Sequence, residues 1–460
     1  MFPFKHIMAP LAAMVAISGC AVSERAAQSD AGAEEAYAAA PEGAAASGWA
    51  KLAIPISGQP TDPDPIIQAA RDARFVLLGE STHGTHEYYR ERGRISERLV
   101  RDLGFGAVAI EGDWSSTYRV NLYVRGLGTD RTAEQALSGY QNFPRWMWRN
   151  TEFRDFVDRL RTWNLSQPVE RRVGVYGMDV YDVFDAADAV VAYLRRVNPA
   201  AAERARREYR CFAPYNRSTH AYGEASRRET RSCKEEAAAV LAEVRRIPRP
   251  TSTAESEEHF AAIRGAASVA GGEAYFRTVY AGSMAWNVRD QRMAANVEEI
   301  AEHVERQAGR PGKVVVWGHN THAGDARATF AANRGELNIG QLMRQRHGNA
   351  AFLVGFFSYV GTVMAAPEWD MPGRVYQMRP ALPGSYSDMF HRSGIPAFSM
   401  ILRGNKGLAR QFGEPRPERA IGVIYRPETE RLSHYFDARV SDQFDAILFF
   451  DRSNAVRPLR

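Results

Sequence analysis

The chain has 460 residues, 45% hydrophobic and 11% aromatic, with a formal net charge of +5. That length suits one large or two to three ordinary domains, and the composition is that of a globular chain rather than a disordered one. The basic charge is almost all arginine, with lysine only at Lys5, Lys51, Lys234, Lys313 and Lys406. It forms no stripe interleaved with aromatics, which argues against a nucleic-acid partner.

The first segment, MFPFKHIMAPLAAMVAISGC, has a basic start at Lys5, an apolar run and small residues before Cys20. That is the pattern of a secretory signal over residues 1–19. The run is too short, and too broken by Pro10, for a spanning helix. ISGC is similar to a bacterial lipobox, so Cys20 is expected to carry lipid and anchor the chain to a membrane. Ala21 is not the aspartate of inner-membrane retention, which points to the outer membrane, facing the periplasm. Residues 20–48 are rich in Ala, Gly, Ser and Glu and cannot bury a core, so they read as a tether. The folded part, 49–460, begins near Trp49. With Cys20 used, Cys211 and Cys233 are expected to pair in an exported chain. The chain-entropy model gives such a loop roughly 3 kcal/mol.

RFVLLGE (74–80) reads as a buried strand ending in glycine. Tyr88, Ile95, Leu99 and Leu103 then fall near helical spacing, which Gly93 weakens. FGAVAIEGD (105–113) is a second strand, followed by a helix through Tyr118–Val124. EFRDFVDRLRTWN (152–164) is amphipathic. RVGVYGMDVYD (172–182) and KVVVWGHNTH (313–322) are the third and fourth strands, separated by an Arg/Glu/Ala-rich helical insert over about 185–305. AFLVGFFSY (351–359), AIGVIY (420–425) and DAILFFD (445–451) are later strands. Strands alternating with helices predict an α/β layered fold with a largely parallel mixed sheet. The insert predicts a separate helical lobe.

Four of these strands run straight into polar residues: Glu80 with His83, Glu111 with Asp113, Asp179, and His319 with Asn320 and His322. A single acid there is ordinarily a cap or turn residue. Four such ends in a parallel sheet converge on one rim, where open α/β sheets bind ligands.

Three chemistries compete for this rim. A serine hydrolase lacks its G-x-S-x-G elbow, and Ser81 is flanked by Glu80 and Thr82. A metallohydrolase would use HGTH (His83, His86) and HNTH (His319, His322), yet neither matches a helix-borne zinc motif, and Gly84 favours a loop. A general base is the third reading: a neutral imidazole takes a proton from water, a carboxylate fixes its tautomer, and a further donor stabilises the oxyanion.

LLGESTHGTHEYYRERGRISERLVRDLGFGAVAIEGDW resembles the signature block of the erythromycin esterase family. FPRWMWRNTEFRDFVDRLRTWN (143–164), VYGMDVY (175–181), RDQRMAANV (289–297) and VVVWGHNTHAGDAR resemble further family blocks, in family order. The resemblance runs over about 70–330 and more weakly to about 450. It implies a three-layer α/β/α core with a helical lobe and the site between them. It implies hydrolysis of a carboxylic ester or macrolactone by water, with no cofactor and no required metal. It also implies His83 as the base, with Glu80, Arg92, Glu111 and His319 as essential neighbours and His86 outside the pattern. Arg92 would bind the carbonyl oxygen or pair with Glu80 or Glu111; His319 would polarise the carbonyl or protonate the leaving alkoxide. His322, Asn320, Asp179, Trp146 and Tyr181 are expected around the substrate, although aromatics at the spacing of Trp146, Trp148 and Tyr181 are core residues more often than not. The expected partners are a small-molecule ester or lactone and, through Cys20, a membrane. Two alternatives stand beside this reading: a haem- or ligand-binding lipoprotein of the same broad fold, and the metallohydrolase. The export signal, the Arg-rich insert and the cysteine pair depart from the family's resistance enzymes.

Overall fold

The computed structural model describes residues 48–228, 232–279 and 283–459. Cys20, the signal segment and nearly all of the tether lie outside the described residues. Eleven strands are described, in chain order: β1 Ile54–Pro55, β2 Phe75–Leu78, β3 Ala107–Ile110, β4 Gly174–Gly177, β5 Val314–Trp317, β6 Ala351–Ala365, β7 Arg374–Met378, β8 Ala397–Ile401, β9 Arg416–Arg419, β10 Tyr435–Ala438 and β11 Ala446–Ser453. The main sheet has the order β1-β8-β11-β6-β2-β5-β3-β4, with β7 on the far end of β6. From β11 to β4 every neighbouring pair is parallel; β1, β8 and β7 pair antiparallel. The α/β expectation of a largely parallel mixed sheet therefore holds.

Both faces of the sheet are covered, which is why its central strands are apolar throughout rather than alternating. Val76, Leu78, Val108, Ile110, Val315 and Trp317 point into one core cluster. Phe75, Leu77, Ala107, Ala109, Val314 and Val316 point into the other. The first is roofed by helices α1 (His86–Leu103), α2 (Trp114–Arg125) and α3 (Thr151–Leu165). Gly93 does not interrupt α1; a Cβ there would make only ordinary van der Waals contact, 3.5 Å from Phe156 of α3. The other face packs Met293, Val297 and Ile300 of the long helix Ser283–Ala308.

Helices Phe184–Val197, Pro199–Glu208, Lys234–Arg246 and Thr253–Thr278 pack around Val190, Leu194, Val240, Val244 and Ala266. Cys211 and Cys233 form a disulfide at the edge of this bundle, with a Cα–Cα distance of 5.7 Å. Among the described residues no helix is long and apolar enough to cross a membrane.

AIGVIY (420–425), expected as a strand, is not one. Only isolated bridges form, Thr82 with Ile421 and Ala366 with Ile424. Its apolar residues are buried because Ile421 and Tyr425 pack on Val363 and Tyr376 in a small separate cluster, not in the main sheet.

Register fixes the site. Leu78 and Ile110 both pair with Trp317, and Ile110 pairs with Gly177. The carboxyl ends of β2, β5, β3 and β4 are level, so the chain leaves all four at one rim.

Candidate functional site

The loop after β2 is held by backbone. His83 N–H donates to Ile421 O at 3.2 Å, and Ile421 N–H donates to Ser81 O at 2.8 Å. Gly84 is required there: a Cβ would meet Met364 O at 1.9 Å. This pinning presents His83 beside Glu80. His83 Nδ1 lies 2.9 Å from Glu80 Oε1. Since a carboxylate accepts, Nδ1 carries the proton, and in the neutral ring Nε2 keeps its lone pair.

Arg92 stands behind Glu80, with Nη2 2.8 Å from Oε2, both side chains fully buried. The pair is an electrostatic contact without hydrogen-bond alignment, and the guanidinium lies over the rings of Tyr89 and Trp317, at 4.5 and 4.9 Å. Of the two roles open to Arg92, this geometry is that of a partner to Glu80.

Glu111 makes no hydrogen bond to His83. Its Oε2 accepts the backbone N–H of His319 at 2.8 Å, and its Oε1 accepts Arg289 Nη2 at 2.8 Å. Arg289 also forks onto Asp179, Nε to Oδ1 at 2.9 Å and Nη2 to Oδ2 at 2.7 Å. Burial would push Glu111 up, but His322, His83 and Arg289 outweigh it and hold the carboxyl well below the usual carboxylate range. Burial lowers Arg289, and Asp179, Tyr181 and Glu111 more than reverse that.

His322 Nδ1 meets Asp290 Oδ1 at 2.8 Å, and its Nε2 sits between Arg289 Nη1 at 3.0 Å and Glu111 Oε1 at 3.4 Å. Its ring stacks on Trp286 at 4.5 Å. Burial pulls its pKa down, yet Asp290 and Glu111 raise it overall. His319 behaves oppositely. Burial and the neighbouring His83 drive its pKa well below the ordinary value, so the ring is neutral. Thr321 N–H donates to His319 Nδ1 at 3.3 Å. The proton is then on Nε2, which is buried and in no aligned hydrogen bond among the described residues, although the Ser81 backbone is close enough to raise the ring's pKa in part. The His83 and His319 ring centroids are 4.9 Å apart.

The remaining expected residues have other commitments. Asn320 donates to Phe356 O at 3.1 Å and to Glu418 Oε1 at 3.0 Å, while its backbone N–H donates to Glu80 O at 2.7 Å. Tyr181 lies under Arg289, at 5.0 Å from its Cζ, and edge-on to Tyr275. Trp146 is a core residue. Trp148 is too, though its indole N–H donates to Glu111 O at 3.0 Å. His86 leaves the rim: its Nδ1 binds Glu152 Oε1 at 2.8 Å, and Glu152 also takes Arg457 near the C-terminus. The two histidines of HGTH therefore diverge, and among the described residues no three His, Cys, Asp or Glu side chains are grouped to hold a metal ion.

Three residues with no assigned role in the sequence reading belong here. Arg289 and Asp290 open the block RDQRMAANV on a long helix, and Glu418 supports Asn320. Burial pushes Glu418 up to about 8, only partly offset by its hydrogen bonds from Asn320 and Gln443.

The fold and rim together define a three-layer α/β protein whose strand ends gather histidines, carboxylates and one forked arginine. The erythromycin esterase family model matches residues 100–453, and the chain belongs to that family. It is thus a hydrolase by family. The matched span holds Glu111, Asp179, Arg289 and His319, while Glu80, His83 and Arg92 lie just before it. Three solved structures share the fold. A succinoglycan biosynthesis protein aligns at 18% identity and TM-score 0.72, over 90% of this chain and 97% of that one. A Bacillus cereus protein aligns at 20% and 0.72, over 90% and 98%. The erythromycin esterase EreC, as a histidine-to-asparagine mutant in its open conformation, aligns at 13% and 0.58, over 85% and 93%.

Proposed function

We propose that the chain hydrolyses a carboxylic ester or macrolactone of macrolide type, with His83 activating water and no metal required. One observation carries this reading: His83 Nδ1 is bound to Glu80 at 2.9 Å, which leaves Nε2 as a base, 4.9 Å ring to ring from a neutral His319 whose Nε2–H is in no aligned hydrogen bond among the described residues. Water adds to the ester carbonyl as His83 Nε2 takes its proton. The oxyanion accepts a hydrogen bond from His319 Nε2–H. Collapse breaks the acyl C–O bond, and the leaving alkoxide takes the proton back from His83, giving one acid and one alcohol from one ester and one water. A positioned base contributes about 10²–10⁴-fold, and an oxyanion donor roughly 3–4 kcal/mol. Glu80 stabilises the imidazolium, and Arg92 holds Glu80 in place. Glu111, held by Arg289, positions the His319 backbone.

Family membership and the fold shared with EreC support the macrolide class. The test is a panel of macrolides, simple lactones and linear esters followed by mass spectrometry. A gain of one water's mass on a macrolide establishes the reaction; hydrolysis of linear esters alone rejects the macrolactone, and an unchanged panel rejects the reading. Dialysis against EDTA should leave the rate unchanged, and a loss restored by zinc would favour the metallohydrolase. On the sequence motif at Cys20 we also propose outer-membrane anchoring facing the periplasm. Cys20→Ala should then release the protein from the membrane fraction.

A further inference from the structure

The helix Ser283–Ala308 carries Arg289 near one end and Arg306 near the other. Seventeen residues at 1.5 Å rise put them about 25 Å apart. At the Arg306 end this helix, with Lys234–Arg246 and Thr253–Thr278, lines a half-open cavity of about 410 Å³. That is the size of a small-molecule site, and it shares no residue with the rim.

Its wall is cationic. Arg245, Arg249 and Arg306 line it, against Glu299 and Glu302. Glu299 is taken from behind by Arg264, with Arg245 only at 3.8 Å. Glu302 pairs loosely with Arg306, at 3.4 Å. Arg249 has neither an ion-pair nor a hydrogen-bond partner among the described residues. Partial desolvation and the charge of Arg306 pull its guanidinium below the ordinary range. His259 adds a polar edge: its Nδ1 meets Tyr193 Oη at 2.9 Å, and Nε2 makes no hydrogen bond within the described residues. The floor is apolar, formed by Ile263 and by Phe260 stacked on His303 at 3.8 Å. Like charges set side by side over an apolar floor are relieved by an anion between them, and a guanidinium fork suits carboxylate and phosphate alike.

We propose that this cavity binds a small organic anion, with its carboxylate or phosphate between Arg249, Arg306 and Arg245 and its apolar part on Phe260 and Ile263. The site is independent of the hydrolytic rim. Isothermal titration of the purified full chain with phenyl phosphate and with benzoate tests it and separates the two head groups. At least one should bind one to one, more weakly as salt rises. Arg249→Ala, an exposed position, should weaken that binding tenfold or more at an unchanged unfolding midpoint, and Arg306→Gln should do the same. His83→Ala should bind as the parent does. Absence of binding by both probes at millimolar concentration, unchanged affinity in both arginine variants, or loss of binding in His83→Ala would each overturn the proposal.

Discussion

Replacing Glu80 by glutamine keeps the side-chain shape and removes its charge from between two buried partners, His83 at 2.9 Å and Arg92 at 2.8 Å. In the proposed mechanism the carboxylate attracts the imidazolium that forms when His83 takes a proton. Unit charges about 4 Å apart at an effective dielectric near 20 attract by roughly 4 kcal/mol. Losing that from the transition state slows turnover by about 10³-fold. The same substitution leaves Arg92 buried without a counter-charge, for which about 3–5 kcal/mol of stability is the usual loss. The rings of Tyr89 and Trp317 over the guanidinium retain part of it, so the low end is expected. Progress curves by mass spectrometry give kcat, and urea denaturation gives stability. Adding Arg92→Met to Glu80→Gln should recover stability without recovering kcat. A kcat within fivefold of the parent, or one that returns with stability in the double variant, would refute the role given to Glu80.

Arg289→Lys cannot span Glu111 and Asp179 together, so kcat should fall at least 100-fold and stability by about 2–3 kcal/mol; wild-type kcat would remove Arg289 from the positioning of His319. Glu418 has a folded pKa of about 8, raised above its ordinary 4.5. Its contribution is fully present below about 4.5 and is lost as pH rises toward 8, so the parent should lose stability relative to Glu418→Gln across that window. A pH-independent difference between the two urea midpoints would contradict the burial of an uncharged Glu418. His86→Ala should leave kcat unchanged and cost about 1 kcal/mol by urea, through the Glu152 contact alone; a large loss of kcat would return His86 to the rim.

The strands that build the rim were legible because each is a short apolar run closing on a polar residue, and a parallel register then brings Glu80, His83, Glu111, Asp179 and His319 together. Arg289 and Asp290 lacked that signal. They lie in a 26-residue helix, where a charged pair ordinarily reads as a solvated face, and only the tertiary fold turns it onto Glu111 and His322. Glu418 sits in GEPRPER, whose prolines and charges hide a strand that pairs only with β10. The spacing of HGTH suggested two histidines acting together. The start of α1 at His86 separates them, sending one ring to Glu80 and the other to Glu152. The run 420–425 shows the converse failure, since apolar residues buried in a satellite cluster look the same in sequence as a central strand.

The base assignment at position 83 is tested most directly by measuring macrolactone hydrolysis by the parent and His83→Ala side by side, with thermal melts of both. The account predicts a loss of about 10²–10⁴-fold in kcat with the melting temperature nearly unchanged. Turnover by His83→Ala within tenfold of the parent would contradict it.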